Sequence, residues 1–436
     1  MLTNPFAFGD PIRQSQAFTG RRREVVEIFR AIQAAGNISI VGERRVGKTS
    51  LLRYIADPDV EQKNGLDTKR YLFAYMSFEG RPTITPTGVW RYLLRRLLPQ
   101  LDHVHLIGQA KQLSEQPSLT MNEIEDWVAA LKDNGLTLVI LFDEFDVATT
   151  NANLGDEFFG RLRDMSAQYA LSCIIASHRP FADLRYAHPE LLSSPFFNTF
   201  RRMTLGGFSP LEIDELIARA LEGSEISFSN ADRAFIDHMA GPHPYFIQMA
   251  AYYVFDAYDL GYKSPGGQPD TRWIVGRMRD NSTEHFRYYW DRSENGEKVI
   301  LASLAFMAQG EAAQLDLPTH FAGHPAHTRM LENLEQRVLV TVEQEGRLHT
   351  FSGIFDDWIT NHVAFIASDQ VDELADLVKT VEVKGFRESW IDRTERLRRG
   401  FAWVDSRAIF KALLVEKGPE AALDLLSKII IHYIAH

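Results

Sequence analysis

Cysteine is nearly missing from this chain: Cys173 is the one example in 436 residues. A lone cysteine excludes an internal disulfide framework and any zinc site built on several thiolates. Cys173 itself reads as a small apolar side chain in a buried strand. Long apolar runs are missing too, since no stretch approaches the ~20 residues of a membrane-crossing helix. Residues 1–20 lack the apolar core of a secretion signal. Low-complexity segments and repeats of fixed period are absent. Positive charge is in deficit, with 47 Lys and Arg against 58 Asp and Glu and a formal net charge of -11. Phosphate tracking needs a basic face, so nucleic acid is not an expected partner, although a local basic patch stays open. These absences together lead to the expectation of a cytoplasmic protein without a membrane span. The length leaves room for two to three domains of ~100–200 residues.

What is present in the first 260 residues is an alternation of helix and strand patterns. Val25, Ile28, Phe29 and Ile32 fall at helical spacing, and Asn37–Val41 is a short apolar strand closed by Gly42. Lys48–Ala56 reads as a helix with Leu51, Leu52 and Ile55 inward; Tyr71–Ser77 reads as a second strand. Trp90, Leu93, Leu94, Leu97 and Leu98 form one apolar helix stripe, and Thr120 with Glu123 makes a capping box for the next helix. Leu138–Phe142 and Leu171–Ala176 are continuous apolar strands, and Met203–Leu205 is expected as a short last one. Strands separated by helices imply βαβ units and a parallel sheet covered on both faces.

After Leu205 the pattern turns helical. Ser209-Pro210-Leu211-Glu212 combines a cap, a proline at the first helical position and a glutamate at the third. Lys263–Asp270 reads as a loop, followed by a helix from about Thr271 to Ser293. Helices around Val299–Met307 and Arg329–Arg337, then Val338–Val342 and Arg347–Phe351 around a turn at Gly346, follow the winged-helix order. Beyond Ala364 the chain reads as helical, with amphipathic stretches at Leu374–Val381 and Ala421–Ile434. The expected domains are 1–206, an α/β core; 207–293, a helical domain; 294–362, a winged helix; and 363–436, a helical C-terminal segment.

Two motifs carry chemistry. Gly42-Glu43-Arg44-Arg45-Val46-Gly47-Lys48-Thr49 follows a strand and opens a helix, which is the context of a Walker A motif. Its glycines let backbone N–H groups approach phosphates, and the helix N-terminus adds partial positive charge. Gly42, Arg45, Val46, Gly47, Lys48, Thr49 and Ser50 are the expected phosphate-binding residues, with Lys48 bridging the β- and γ-phosphates and the Thr49 hydroxyl ligating Mg²⁺. Leu138–Glu144 is a Walker B motif that delivers two carboxylates to the end of a buried strand. Asp143 is assigned to Mg²⁺, and Glu144 to polarising the attacking water as general base. Asp146 is read as a cap of the following turn.

Further candidates are less specific. Arg179 in Ser177-His178-Arg179 ends the next strand, where an arginine can reach a γ-phosphate; the alternative is an exposed loop residue. Arg201 precedes the last strand, as a residue acting on a neighbour's nucleotide or as surface charge. Arg91, Arg95 and Arg96 read as a solvated helix face, Arg393–Arg399 likewise, and His320, His324 and His327 as a surface loop rather than a metal site.

With these motifs in hand, the chain resembles STAND-type NTPases close to the archaeal-type ATPases, within the AAA+ and related P-loop proteins. Phe18-Thr19-Gly20-Arg21-Arg22-Arg23-Glu24 resembles that family's N-terminal box beside the adenine, which brings Gly20 and Arg21 into the expected site. Gly241-Pro242-His243-Pro244-Tyr245-Phe246-Ile247-Gln248 is similar to its lid motif, where Pro244 would contact the adenine; Pro242 departs from the motif's second glycine. Leu331–Trp358 resembles its winged helix. The resemblance covers roughly residues 1–362. It implies a sheet in which the Walker B strand does not neighbour the Walker A strand, and an ATP/ADP switch that ADP holds closed and ATP opens for assembly. A near-complete swing needs about 5 kcal/mol of differential binding.

The functional expectation is a slow signalling ATPase, in antiviral defence or regulated cell death, hydrolysing ATP to ADP and phosphate. The nucleotide segment starts almost at residue 1 and the tail is too short for a long repeat sensor. A protein partner is therefore expected to supply sensor or effector, with nucleotide-dependent homo-oligomers. The alternatives are a winged-helix DNA-binding ATPase like replication initiators, disfavoured by Glu332 and Glu335 on the second winged-helix segment, and a non-hydrolysing nucleotide-gated scaffold.

Overall fold

A computed structural model describes residues 2–12, 15–180, 195–308, 325–342 and 347–369. The chain divides into two compact units, Gly9–Ala220 and Met1–Phe8 with Leu221–His436.

The first unit is built on five parallel strands: β1 (Asn37–Val41), β2 (Tyr71–Ser77), β3 (Thr137–Asp143), β4 (Leu171–Ser177) and β5 (Phe200–Thr204). Their order is β2-β3-β4-β1-β5, so the strand ending in Asp143 is separated from the strand leading into Gly42 by β4. This matches the expected parallel P-loop sheet. β1 and β4 are buried along their whole length, as continuous apolar strands require when both sheet faces are covered. Alternate side chains serve different faces. Leu138, Ile140 and Phe142 join Leu72, Ala74, Met76, Cys173 and Ile175 in one apolar cluster with helices α4 (Pro86–Leu97), α5 (Val104–Glu115), α6 (Met121–Asp133), α7 (Phe145–Thr149) and α8 (Asp156–Gln168). α1 (Arg22–Gln33), α2 (Lys48–Ile55) and α3 (Pro58–Lys63) complete the helices before β2. Thr120 and Glu123 form the expected reciprocal capping box at α6. β5 begins at Phe200, earlier than the pattern suggested, because Arg201, Arg202 and Thr204 are exposed on this edge strand and hide its apolar period. At the opposite edge, the Gln100 side chain accepts from Phe73 N–H (2.9 Å) and donates to its carbonyl (2.8 Å). That amide occupies the place of a further strand and blunts the edge.

α9 (Pro210–Ala220) belongs to this unit, although the sequence reading set it with the lid. Three contacts tie it there. Glu212 Oε1 accepts from Arg21 N–H at 2.6 Å, Glu215 pairs with Arg22 at 2.8 Å, and Arg219 donates to Phe18 O at 3.0 Å.

The second unit contains α10 (Asn230–Ala240), α11 (Pro244–Asp259), α12 (Thr271–Asp291), α13 (Asn295–Ala308), α14 (Pro325–Gln336), the antiparallel pair β6 (Val340–Val342) and β7 (Leu348–Thr350), and α15 (Gly353–Asp369). Segments expected as separate lid and winged helix share one aromatic core here. Phe246 lies 5.1 Å from Phe286 and 5.4 Å from Phe351, and Phe355 lies 5.0 Å from Phe286 and 5.2 Å from Phe351. Gly241, at φ 53°, closes the same region: a Cβ there would come within 1.6 Å of Phe351 O. His327 falls in α14 rather than a loop, whereas His320, His324, Arg393–Arg399 and the helices expected beyond residue 370 lie outside the described residues.

Candidate nucleotide site

The site lies at the carboxyl ends of β1, β3 and β4. β1 runs into a turn at Gly42 that admits no side chain, because a Cβ would meet Leu205 O at 2.7 Å and Val46 Cγ1 at 2.9 Å. Arg45 (φ 67°) and Gly47 (φ 103°) hold left-handed conformations, Val46 is fully buried, and Gly47 caps α2. The first amides of α2, which no helical carbonyl can satisfy, thus face the inside of the turn. Arg45 Nη1 donates to Gly9 O (2.7 Å), and Ser50 Oγ accepts from Ile12 N–H (3.1 Å), so both residues fasten the segment 9–12 beside the turn.

Lys48 is buried, and its Nζ lies 2.9 Å from Gly42 O, 3.1 Å from Glu43 O and 3.1 Å from His178 Nδ1. Burial lowers its pKa, while Glu144, Glu43 and Asp143 oppose that shift. An ammonium can only donate, so His178 Nδ1 accepts and Nε2 carries the proton. Nε2 faces Glu144 Oε2 at 2.9 Å. Lys48, His178 and Glu144 therefore form one hydrogen-bonded chain. Burial pushes the Glu144 carboxyl upward, but the hydrogen bond from His178 and the positive charges of Lys48 and Arg44 hold the pKa below its ordinary value. Glu144 also has a left-handed backbone (φ 52°), a strained state for a non-glycine residue.

Asp143 is nearly inaccessible. Its Oδ2 accepts from Thr49 Oγ1 (2.7 Å) and Tyr75 OH (2.9 Å), and its Oδ1 from Glu144 N–H (3.0 Å). Burial first, then the carboxylate, raises the Tyr75 hydroxyl pKa, so Tyr75 stays a donor. A hydroxyl and a carboxylate side by side suit Mg²⁺, which takes one or two protein oxygens and completes its shell with phosphate oxygens and water. Among the described residues there is no group of three or more His, Cys, Asp or Glu to hold a metal unaided.

The expected residues thus fall into three sets. Gly42, Val46, Gly47, Lys48, Thr49, Asp143 and Glu144 lie together at the ends of β1 and β3 and the start of α2. Arg21 is in the first unit but turned inward: its Nη2 donates to Gly206 O (2.6 Å) and Val46 O (3.2 Å), and its guanidinium stacks on Phe208 at 4.6 Å. It fastens the turn to the segment between β5 and α9, and Gly20 (φ 76°) makes room for Glu212. Pro244 opens α11 in the second unit. Arg179 is exposed, and the position between Lys48 and Glu144 is taken by its neighbour His178. Arg201 is exposed and pairs with Glu27 at 3.3 Å. Arg91 is half-buried rather than solvated, donating to Gln116 O and Pro117 O at 2.8 and 2.9 Å.

Sequence reasoning missed His178 and Tyr75 as partners of the site and underrated Asp146, whose Oδ2 accepts from His178 N–H at 2.7 Å. The available signal was topological. A residue just past β4 sits between the ends of β1 and β3, whichever side chain looks more reactive on paper.

The profile of the Novel STAND NTPase 2 family matches residues 32–304, more than half of the chain. The chain belongs to that family. The fold of this STAND NTPase is also that of the Walker-type ATPase paby2304 of Pyrococcus abyssi, at 14% identity and a TM-score of 0.52, covering 80% of this chain and 98% of that one. Weaker likenesses are the Aeropyrum pernix ORC2 protein in its ADP form (12% identity, TM-score 0.49, covering 82% and 97%) and the Aeropyrum pernix ORC1 protein in complex with DNA (10%, 0.38, 81% and 94%). No curated protein matches the chain. The protein is thus a nucleotide-binding P-loop NTPase of the STAND type. Among the described residues, no helix is long and apolar enough to cross a membrane.

Proposed function

We propose that this STAND NTPase binds Mg-ATP at the turn 42–49, hydrolyses it slowly to ADP and phosphate, and uses the difference between the two nucleotides as a signalling switch. The observation that carries this reading is the chain Lys48–His178–Glu144. Lys48 spends its donors on two carbonyls of the turn and on His178. ADP brings only its β-phosphate to that ammonium, whereas ATP adds a γ-phosphate that competes for the donor now given to His178. The hydrogen bond from Lys48 to His178 is then the local contact that differs between nucleotides, and His178 passes that difference to the general base Glu144. Thr49 and Asp143 would hold Mg²⁺, which would supply positive charge against the phosphates. A base engaged by a neighbouring ring fits low turnover. A protein partner supplies the sensor or effector, and assembly into homo-oligomers follows ATP binding.

Glu144→Gln tests the reading. It is expected to bind Mg-ATP within threefold of the parent while hydrolysis falls about 10²-fold or more, the scale of general-base removal. Unchanged hydrolysis in that variant removes Glu144 as base, and no hydrolysis in the parent favours a nucleotide-gated scaffold. The DNA-acting reading loses support at Arg337, one of the two arginines flanking the second winged-helix segment. Its guanidinium is directed inward to Glu297 Oε2 (3.3 Å), Ser293 Oγ (3.1 Å) and Tyr289 O (3.2 Å).

A further inference from the structure

On the outer face of β2, a cleft of about 630 Å³ starts at Thr49, Asp143 and Glu144 and runs past Tyr75 to Gln100. Its lining includes Arg53, Arg81 and Arg96 with Tyr92, and the acids Asp10 and Glu79. The Arg53 guanidinium lies over the Tyr75 ring at 5.7 Å. Arg81 and Arg96 both lie over the ring of Tyr92, at 5.0 and 5.3 Å. Arg81 Nη1 also donates to Ser77 O at 2.8 Å and Glu79 O at 3.3 Å, and Arg96 Nη2 to Tyr92 OH at 3.2 Å.

Two features mark this group of arginines. Elsewhere in the unit, Arg91 and Arg219 donate to backbone carbonyls, and Arg22, Arg161, Arg163 and Arg201 each have a carboxylate partner. Among the described residues, Arg53, Arg81 and Arg96 have none. This happens in a chain of net charge -11, where acids are in surplus. Two guanidinium groups on one ring also repel each other, at a cost that a bound anion offsets. Of the four acids in the lining, Asp143 is committed to Thr49 and Tyr75 and Glu144 to His178, and neither Asp10 nor Glu79 forms an ion pair with the three arginines. The volume falls in the range of small-ligand pockets, and guanidinium forks match phosphate geometry.

We infer that this cleft is a second anion site, in which Arg53, Arg81 and Arg96 hold a small phosphate-bearing ligand beside, and separately from, the nucleotide in the turn 42–49. Tyr75 connects the two, since its ring carries Arg53 and its hydroxyl holds Asp143. The ligand comes either from the neighbouring hydrolysis, as released phosphate, or from solution, as a separate phosphorylated compound. Binding to the cleft does not depend on hydrolysis, so its test stands apart from that of the ATPase reading.

The test is equilibrium dialysis of the full chain, saturated with Mg-ADP in excess Mg²⁺, against inorganic phosphate and then pyrophosphate. One equivalent of anion beyond the nucleotide is expected. Arg81→Gln with Arg96→Gln should weaken it at least tenfold and leave ADP affinity within twofold. Because Arg81 also braces two backbone carbonyls, Arg96→Gln alone serves as the second variant, with a loss of at least threefold expected. Phosphate bound as tightly as pyrophosphate, with late phosphate release in a single turnover that the double variant speeds, assigns the cleft to the reaction product. Pyrophosphate bound at least tenfold tighter, with prompt release, assigns it to a separate ligand. Absence of a second equivalent, or one that survives both variants unchanged, overturns the inference.

Discussion

The two units spend their unusual chemistry differently. In the unit Gly9–Ala220, strained backbone and buried charge coincide. Of its four described non-glycine residues with positive φ, Arg21, Arg45 and Glu144 lie around the phosphate-binding turn and Ala35 does not; the buried Arg21, Glu43, Lys48 and Asp143 gather there too, with Glu61 apart. In the unit from Leu221 onward, one described non-glycine residue, Val338, has positive φ, and the buried acids tie elements together: Asp232 in the cap of α10, Glu297 with Arg337, and Asp356 under Thr350, beside an aromatic core and Gly241 against Phe351. Strain costs about 1–3 kcal/mol per residue and persists where surrounding contacts force it. Its concentration at one turn marks the place where geometry, rather than stability, is the constraint.

That contrast can be broken from the packing side first. Gly241→Ala is expected to cost more than about 4 kcal/mol, because a Cβ would overlap a backbone oxygen that cannot yield. Thermal unfolding should lose the transition of the second unit while the nucleotide-stabilised transition of the first remains. An alanine variant that melts like the parent would mean the contact is soft.

A smaller effect is expected at Asp356. Burial, with Asp357 adding and the Thr350 hydrogen bond opposing, pushes its carboxyl up to about 7. The unfolded value is about 3.9, so between these values the folded state binds the extra proton. Its contribution is greatest below about pH 4 and is lost as pH rises through about 7, by up to ~4 kcal/mol. Asp356→Asn should flatten the pH dependence of melting across that window; an unchanged slope would place the titration elsewhere.

The smallest effect is expected at Arg201. Its exposed pair with Glu27 is worth less than about 0.5 kcal/mol. Arg201→Ala should leave both melting and hydrolysis by dilute protein unchanged. Hydrolysis lost only at concentrations where copies associate would instead give Arg201 a role at a neighbour's nucleotide.

The sequence made much of the first unit legible. A glycine-bounded turn between an apolar strand and an amphipathic helix has few alternatives, and Leu138–Phe142 announced a buried strand ending in two acids. Less was legible where the side chain's direction matters. Arg21 stands in a motif associated with the adenine, yet Gly206 O and Val46 O claim its guanidinium. His178 was passed over for Arg179 because charge is visible in a sequence and strand adjacency is not. The boundary near residue 206 was misplaced for a similar reason, since Glu212 and Glu215 bind back to Arg21 and Arg22 across a long stretch of chain.

In the proposed function, Lys48, His178 and Glu144 act as one unit beside Thr49 and Asp143. The most direct measurement is the pH dependence of single-turnover ATP hydrolysis by His178→Ala. The expected result is nucleotide affinity within threefold of the parent, a rate lowered about 10–10²-fold, and an acid limb moved to higher pH, because Glu144 loses the partner that lowers its pKa. A parental rate with the acid limb in its original place would contradict the claim.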